Sequence, residues 1–577
     1  MFKRWRAILT LMVITAVSLQ PALAENPQPR KIYSGWIPYY GMKTSLPHAL
    51  NNADLIRDVM PFWYTFKYVN KVPSIQDLYS PANPSVPITQ PLSTMRNAGF
   101  TIIPTITDGT DKLVLANLLA TDSGRTAAVK VINDLVIANN FDGIDLDFEG
   151  FAFVDGNSSW DKTKPNWVAF VKLLSTTLKA NGKLLSMTTP YLLDPASGKR
   201  GYYVYAWAEI APFIDRLRIM TYDFSVAKPG PIGPLSWTED TVKYAVSIMP
   251  ASKVFVGLAG YGRDWVTKVV GVCPADVAKT VTTSAKAATF LMRNAATLAA
   301  GYGASITYDD KFQEATFTYQ KTYNGNTATG LATSCTATRV AWYQDAKAFE
   351  ARAQLVSKYR LGGVVAWTMG FEDPIAMTNI RNVALSIAPD KVLSTITTDL
   401  SDFIYGTPIN LSGIFTLADK QPIAALPVKV EVKSDDDVNW REITTLATGT
   451  DGKLNLQLYL GKNQALRLRS EGTWERLEGL SNLQTLTVRP QIKISAPSSA
   501  LSKSQVNISG LVTPGREAKV SLERFDGKWI EVASTIADAN GNYQFTYTLG
   551  SSSVSPFVKL RASSKGGQSA SVTIAVR

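Results

Sequence analysis

The sequence predicts an α/β barrel of eight strand–helix units followed by two all-β modules. Three observations predict it. Between residue 31 and about residue 389, short apolar runs alternate with segments of helical periodicity, the pattern of a parallel sheet. Beyond Pro389 the helical period disappears, and Val, Thr, Leu and Ser dominate between regular turn signals. That last region also repeats itself. With 577 residues, 45% hydrophobic and 18% charged, several globular domains are expected.

Residues 1–24 read as a secretory leader. Lys3, Arg4 and Arg6 supply the positive start, Ala7–Val17 the apolar run and Ala22-Leu23-Ala24 a small-x-small cleavage site. The run is short for a membrane span; an uncleaved anchor is the alternative. A secreted chain, soluble and with no membrane attachment after cleavage, is therefore expected. The two cysteines, Cys273 and Cys335, are then expected to pair, closing a long loop worth roughly 3–4 kcal/mol in the chain-entropy model; two separately buried thiols are the alternative.

Eight strands are predicted: 31–40, 55–66, 99–108, 141–150, 183–190, 216–224, 253–261 and 361–370. Helices lie between several of them. Trp167, Phe170, Val171, Leu174 and Leu178 fall at helical spacing over 166–180. Thr238-Glu239-Asp240 reads as a cap opening a helix over 241–248, and 345–359 leads into the eighth strand. Eight such units predict a TIM (β/α)8 barrel, with its active site at the carboxyl ends of the strands.

The fourth strand carries Phe141-Asp-Gly-Ile-Asp-Leu-Asp-Phe-Glu-Gly150. Strand alternation puts Asp145, Asp147 and Glu149 on one face and Ile144, Leu146 and Phe148 on the other. Three crowded inward acids repel one another, so a proton held among them for general acid catalysis is the natural reading. A calcium loop does not fit the spacing. A single histidine, His48, argues against Ser-His-Asp hydrolysis and histidine zinc sites. Tyr222 and Asp223 at the sixth strand end and Trp367 on the eighth join the same rim; singly, each also reads as a core or cap residue. The net charge of +12 suits an acidic surface such as a cell wall, or plain solubility.

In the tail, Asn410-Leu-Ser-Gly413 corresponds to Asn507-Ile-Ser-Gly510, Trp440-Arg-Glu-Ile to Trp529-Ile-Glu-Val, and Asp451-Gly-Lys-Leu-Asn-Leu to Asn540-Gly-Asn-Tyr-Gln-Phe. Leu466-Arg-Leu-Arg-Ser470 is matched with Val558-Lys-Leu-Arg-Ala562. Two β-sandwich modules of immunoglobulin-like type are read, over 390–489 and 490–577, with Asp451-Gly452 and Asn540-Gly541 as hairpin turns. They are expected to bind glycan or only to space the enzyme from a surface, with a spacer or weak wall-adhesion role favoured. The recurrence of Trp440 and Trp529 favours a shared strand position over a binding platform.

Asp142-x-x-Asp145-x-Asp147-x-Glu149 resembles the signature of family 18 glycoside hydrolases, the chitinase family. Met220-Thr-Tyr-Asp223, Gly257-Leu-Ala-Gly-Tyr-Gly-Arg-Asp-Trp265 and Gly363-Val-Val-Ala-Trp-Thr-Met-Gly370 resemble its sixth, seventh and eighth strand motifs. The resemblance implies a catalytic domain over 25–389, with an α+β insertion over 266–341 between strands seven and eight that the disulfide would staple. Tyr319 and Trp342 would wall the groove there, or simply pack. The third strand, Phe100–Asp108, lacks the Ser-x-Gly-Gly of chitinases. With Val59–Tyr64 it looks more like the spore-germination branch, associated with peptidoglycan-type glycans.

What the resemblance implies is a retaining, substrate-assisted glycosidase acting on N-acetylglucosamine-containing polymers, chitin or peptidoglycan. Glu149 would be the acid, Asp147 would orient the acetamide, Asp145 would share a proton with Asp147, and Tyr222 would bond the acetamido oxygen. Asp147 is expected to keep Glu149 protonated. Asp223, Trp367, Tyr39, Trp63, Met220 and Tyr261 form the expected sugar-binding set. No metal or organic cofactor, no nucleic acid and a monomer are expected. The alternative is a non-catalytic lectin on the same barrel, or a wall-adhesion protein.

Overall fold

The structure, a computed structural model, describes residues 28–577; the segment read as a leader lies outside them. Two compact units divide at Ala388 and Pro389.

In the first unit, eight parallel strands close into a ring. They are β1 (Tyr33–Pro38), β2 (Ile56–Val69), β3 (Thr105–Asp108), β4 (Gly143–Asp147), β5 (Leu184–Pro190), β6 (Arg216–Met220), β7 (Val254–Ala259) and β8 (Gly363–Trp367). Each pairs with its sequence neighbour, and β8 pairs with β1, which closes the ring. Apolar side chains cover the outer faces because helices pack there, so the strands are nearly all buried. The helix Trp160–Ala180 buries Trp167, Phe170, Val171, Leu174 and Leu178, the stripe its periodicity predicts.

Several boundaries differ from the sequence reading. That helix starts at Trp160, six residues early. The helix expected to open behind Thr238 runs Leu235–Ile248 from Pro234, and Thr238 is buried inside it. The helix Ala346–Tyr359 is capped by Asp345, which accepts from the Ala348 amide at 2.9 Å. The fourth strand stops at Asp147, and Gly150–Val154 is a π-helical turn. The sixth stops at Met220, and Asp223 takes φ +59°.

Between β7 and β8 a five-stranded antiparallel sheet is inserted, from Tyr261–Gly271 to Ala332–Tyr343. It therefore begins at Tyr261, not at residue 266. Cys273 and Cys335 are joined inside it. Tyr319 and Trp342 pack: the Tyr319 hydroxyl donates to Asp264 at 2.6 Å, and Trp342 meets the Phe312 ring edge.

The second unit contains two β-sandwich modules, each a three-stranded sheet facing a larger one. Their cores are separate, one around Ile409, Leu411, Val430 and Leu466, the other around Ile508, Val520, Leu560 and Ile574. The Asp451-Gly452 and Asn540-Gly541 turns are not hairpins. Each carries the chain from one sheet to the other: Arg441–Ala447 pairs with Pro427–Lys433, whereas Lys453–Leu458 pairs with Ile409–Leu417. Gly452 and Gly541 have φ +73° and +85°, the left-handed region that a residue without Cβ enters freely.

The repeat register also shifts. In each module an arginine, a glutamate and a tryptophan interlock. Arg467 Nε donates to Glu431 at 2.7 Å and its guanidinium sits 4.1 Å from the Trp440 ring centre. Arg561 Nε donates to Glu523 at 2.5 Å and sits 4.2 Å from the Trp529 ring centre. Arg467 therefore corresponds to Arg561, two residues from the match made on sequence.

Candidate active site

A cleft of ≈ 350 Å³ opens at the carboxyl ends of the barrel strands. Asp147, Glu149, Met220, Tyr222, Asp223, Tyr261 and Trp367 line it together with Trp36, Phe62, Thr107, Asp108 and Thr188. Seven of the eight strands thus deliver side chains to one mouth, the arrangement this barrel provides for chemistry.

Asp145 lies beneath the cleft, fully buried. Ser186 Oγ donates to it at 2.6 Å, Thr105 Oγ1 at 2.8 Å and Thr188 Oγ1 at 2.9 Å. Two of these hydroxyls are themselves aimed by donors that can accept nothing in return. Trp36 Nε1 donates to Thr105 Oγ1 at 3.0 Å, and Arg218 Nε to Ser186 Oγ at 3.0 Å. The hydroxyl protons are left to point at Asp145. Arg218 is in turn held by Asp58, whose Oδ2 accepts from its Nη2 at 2.9 Å. Burial raises Asp58, yet the charges of Arg218 and Arg216 outweigh it and hold that carboxyl below its ordinary range.

Asp147 and Glu149 share a hydrogen bond. Burial pushes Asp147 well above the usual carboxylate range, and the charges of Glu149 and Asp145 push it further. Burial also raises Glu149, with the charge of Asp223 adding to it. The bond from Asp147 pulls Glu149 down. Dehydration of its site is thus the leading cause that keeps Glu149 high, where the sequence reading put the cause in Asp147.

Glu149 does not reach the cleft by strand alternation, because the strand has ended two residues before it. Its backbone is fixed by neighbours instead. The Tyr205 hydroxyl donates to the Phe148 carbonyl at 2.9 Å, and Phe148 packs among Phe66, Trp167 and Phe170. Directly after it, Gly150 is pressed against Asp108: a Cβ there would lie 2.2 Å from Asp108 Oδ2.

Tyr222 is held as the neutral phenol, its pKa pushed far up by burial and by Tyr261, Asp147, Glu149 and Asp223. Its hydroxyl is therefore a donor beside the acid pair. Asp223 Oδ1 accepts from the Tyr261 hydroxyl at 2.6 Å and from Arg263 at 2.7 and 2.9 Å. Trp367 forms one wall, edge-on to Phe62 at 4.9 Å and to Trp36 at 5.6 Å.

Two members of the expected sugar-binding set are elsewhere. Trp63 is fully buried away from the cleft, its ring 4.5 Å from that of Tyr79; its neighbour Phe62 takes the cleft-facing side. Tyr39 packs on Tyr40, with its carbonyl accepting from Asn83 at 2.9 Å. The sequence reading missed Trp36, Phe62, Thr107, Asp108 and Thr188. Asp108, the last residue of β3, had a signal: an acid at a barrel strand's carboxyl end. Burial raises its pKa, against two hydrogen bonds from Thr110.

Among the described residues no helix is long and apolar enough to cross a membrane, and no cluster of three or more His, Cys, Asp or Glu is arranged to hold a metal ion.

A family model described as glycosyl hydrolases family 18 matches residues 39–372. A Bacillus subtilis protein named as a sporulation-specific glycosylase, YdhD, is 26% identical over 263 residues, 45% of this chain and 54% of that one. The cortical fragment-lytic enzyme of Bacillus subtilis is 25% identical over 178 residues, 30% of this chain and 36% of that one. Chitinase A1 of Niallia circulans is 29% identical over 174 residues, 26% of this chain and 25% of that one. The chain spans about half, or less, of the length of these relatives.

Proposed function

The chain belongs to the family 18 glycosyl hydrolases, and from that premise we propose that it is a secreted enzyme cleaving N-acetylglucosamine-containing polymers, chitin or peptidoglycan, with substrate assistance and retention. One observation carries the reading: the hydrogen-bonded Asp147–Glu149 pair stands in one cleft with the neutral hydroxyl of Tyr222 and the Trp367 wall.

In this reading Trp367 stacks under the sugar at the cleavage point, with Met220 and Tyr261 beside it. Glu149, raised by burial, gives its proton to the glycosidic oxygen as the bond to the anomeric carbon breaks. The acetamido oxygen of the same sugar attacks that carbon, forming an oxazolinium ion. Tyr222 donates to the acetamido oxygen, while Asp147 accepts from its N–H and balances the positive charge. At rest the charge of Asp145 opposes loss of the Asp147 proton; once the sugar is bound that proton passes to Asp145, with which it is shared, and leaves Asp147 ionised toward the acetamide. Glu149 then takes a proton from water, which opens the oxazolinium with configuration retained. Asp223, clamped by Tyr261 and Arg263, orients the sugar. The names of the relatives include both a chitinase and a cortical fragment-lytic enzyme, which supports the amino-sugar class and leaves both polymers within the proposal. The β modules attach the enzyme to a wall surface or space it from one.

The test is hydrolysis of a fluorogenic chitobioside beside the matching cellobioside, followed by product analysis on chitin and on peptidoglycan. Turnover of the chitobioside alone is expected. Equal turnover of the sugar without the 2-acetamido group would overturn the mechanism, and no turnover of either would favour a lectin.

A further inference from the structure

The two β modules share a framework and differ at one face. Aligned on the interlocked Glu–Arg–Trp set, their outward positions correspond one by one. Two residues beyond the glutamate, the first module has Lys433 and the second Phe525. Two and four residues before the arginine, the first has Ala465 and Asn463, the second Lys559 and Phe557. All three second-module side chains are exposed, while Val558, Leu560 and Ala562 between and beside them face the core.

Phe525 is 46% exposed and Phe557 61%, values unusual for aromatic residues on a sheet. The Phe525 ring stands edge-on to Trp529 at 5.3 Å. Lys559 Nζ lies 5.7 Å from the Phe525 ring centre and 6.0 Å from that of Trp529. Among the described residues Lys559 has no carboxylate partner, whereas Arg561 beside it is committed to Glu523. Residues 490–577 carry ten Lys and Arg against five Asp and Glu. Exposed rings suit the apolar faces of sugars, and the unpaired cation suits an anionic substituent on them. The first module has no ring at any of these positions, which hold Lys433, Ala465 and Asn463.

We propose that Phe525, Phe557 and Lys559, buttressed by Trp529 beneath them, form a binding face for a carboxylate-bearing amino-sugar polysaccharide of the peptidoglycan type. The choice of polymer rests on the reading of the barrel given above; the existence of the face does not.

The test is co-sedimentation of the full chain with insoluble peptidoglycan, chitin and cellulose, in excess soluble chitooligosaccharide to occupy the barrel cleft. The wild type is expected to bind peptidoglycan best. The Phe525→Ala/Phe557→Ala variant is expected to lose at least about fivefold in apparent affinity, from two aromatic contacts. Lys559→Glu is expected to weaken binding to peptidoglycan but not to chitin. Lys433→Ala, in the other module, is expected to change nothing. Unchanged retention of the double variant overturns the face; an unchanged Lys559→Glu overturns its anionic partner. Hydrolysis of the soluble oligosaccharide, assayed separately, is expected to match wild type in every variant. Failure of the wild type in that assay speaks against the barrel reading alone.

Discussion

Arg218 Nε lies 3.8 Å from Asp145 Oδ1, and neither side chain has any exposed surface. The contact is relayed by Ser186, which accepts from the first and donates to the second. A cation in the barrel floor thus offsets the charge that pushes Asp147 upward. Arg218→Met leaves the buried Asp58 with Arg216 alone and is expected to cost stability, up to about 3–5 kcal/mol. The Asp58→Asn/Arg218→Met pair should recover most of that in thermal melts. It should still move the basic limb of the kcat/KM profile to higher pH, because Asp147 and Glu149 then face a less compensated Asp145. A double variant with wild-type stability and a wild-type profile would reduce Arg218 to a packing role.

Glu149→Gln keeps the shape of the side chain and removes the transferable proton. Turnover of the chitobioside is expected to fall by about 10²–10⁴-fold, the worth of a positioned acid. Oligosaccharide affinity by calorimetry should stay near wild type. Simultaneous loss of affinity would mean that the carboxyl holds the sugar and does not act on it.

A second buried acid makes a pH prediction outside the cleft. Burial raises Glu372 to about 8, although backbone hydrogen bonds oppose the rise. Tyr33 donates to it, and His48 Nε2 lies 3.2 Å away. Burial and the charge of Arg293 lower His48 to about 4, so near pH 6 both groups are neutral and the contact is not an ion pair. A carboxyl raised on folding stabilises the fold while protonated. Its contribution is complete below the unfolded value near 4.5 and is lost as pH climbs toward 8. The slope is at most about 1.4 kcal/mol per pH unit. Glu372→Gln lacks that loss, so its melting temperature should gain on wild type between pH 5 and pH 8. A difference independent of pH would show that Glu372 is ionised throughout.

The Cys273–Cys335 crosslink spans 62 residues and closes the inserted sheet on itself. Replacing both cysteines with alanine should lower stability by about 4 kcal/mol in the loop-entropy account. Residues 261–343 should then become the first segment cut in limited proteolysis. Unaltered proteolysis kinetics would mean that the sheet's own ladder suffices.

The barrel was readable because its strands are short, apolar and regularly interrupted, and Asp145 and Asp147 because Ile144 and Leu146 fix the phase of that strand. β2 gave no such phase. Its residues are apolar on both sides, and its register shifts between Phe62 and Tyr64, so nothing in the sequence says which of Phe62 and Trp63 faces the cleft. Glu149 was correctly put at the rim for the wrong reason, since the strand ends before it. The β repeat failed in the same way: alternating Leu and Arg look alike when slid by two, and only the Glu–Arg–Trp contacts distinguish the two alignments. Trp36 and Thr105 act on Asp145 across strands far apart in sequence, a relation no local pattern encodes.

The paired fastenings Glu431–Arg467–Trp440 and Glu523–Arg561–Trp529 are each complete within one module. Such a unit can be copied, lost or exchanged by duplication without redesigning its neighbour. Once two copies exist, one is free to drift at its outer positions while the other keeps the original surface.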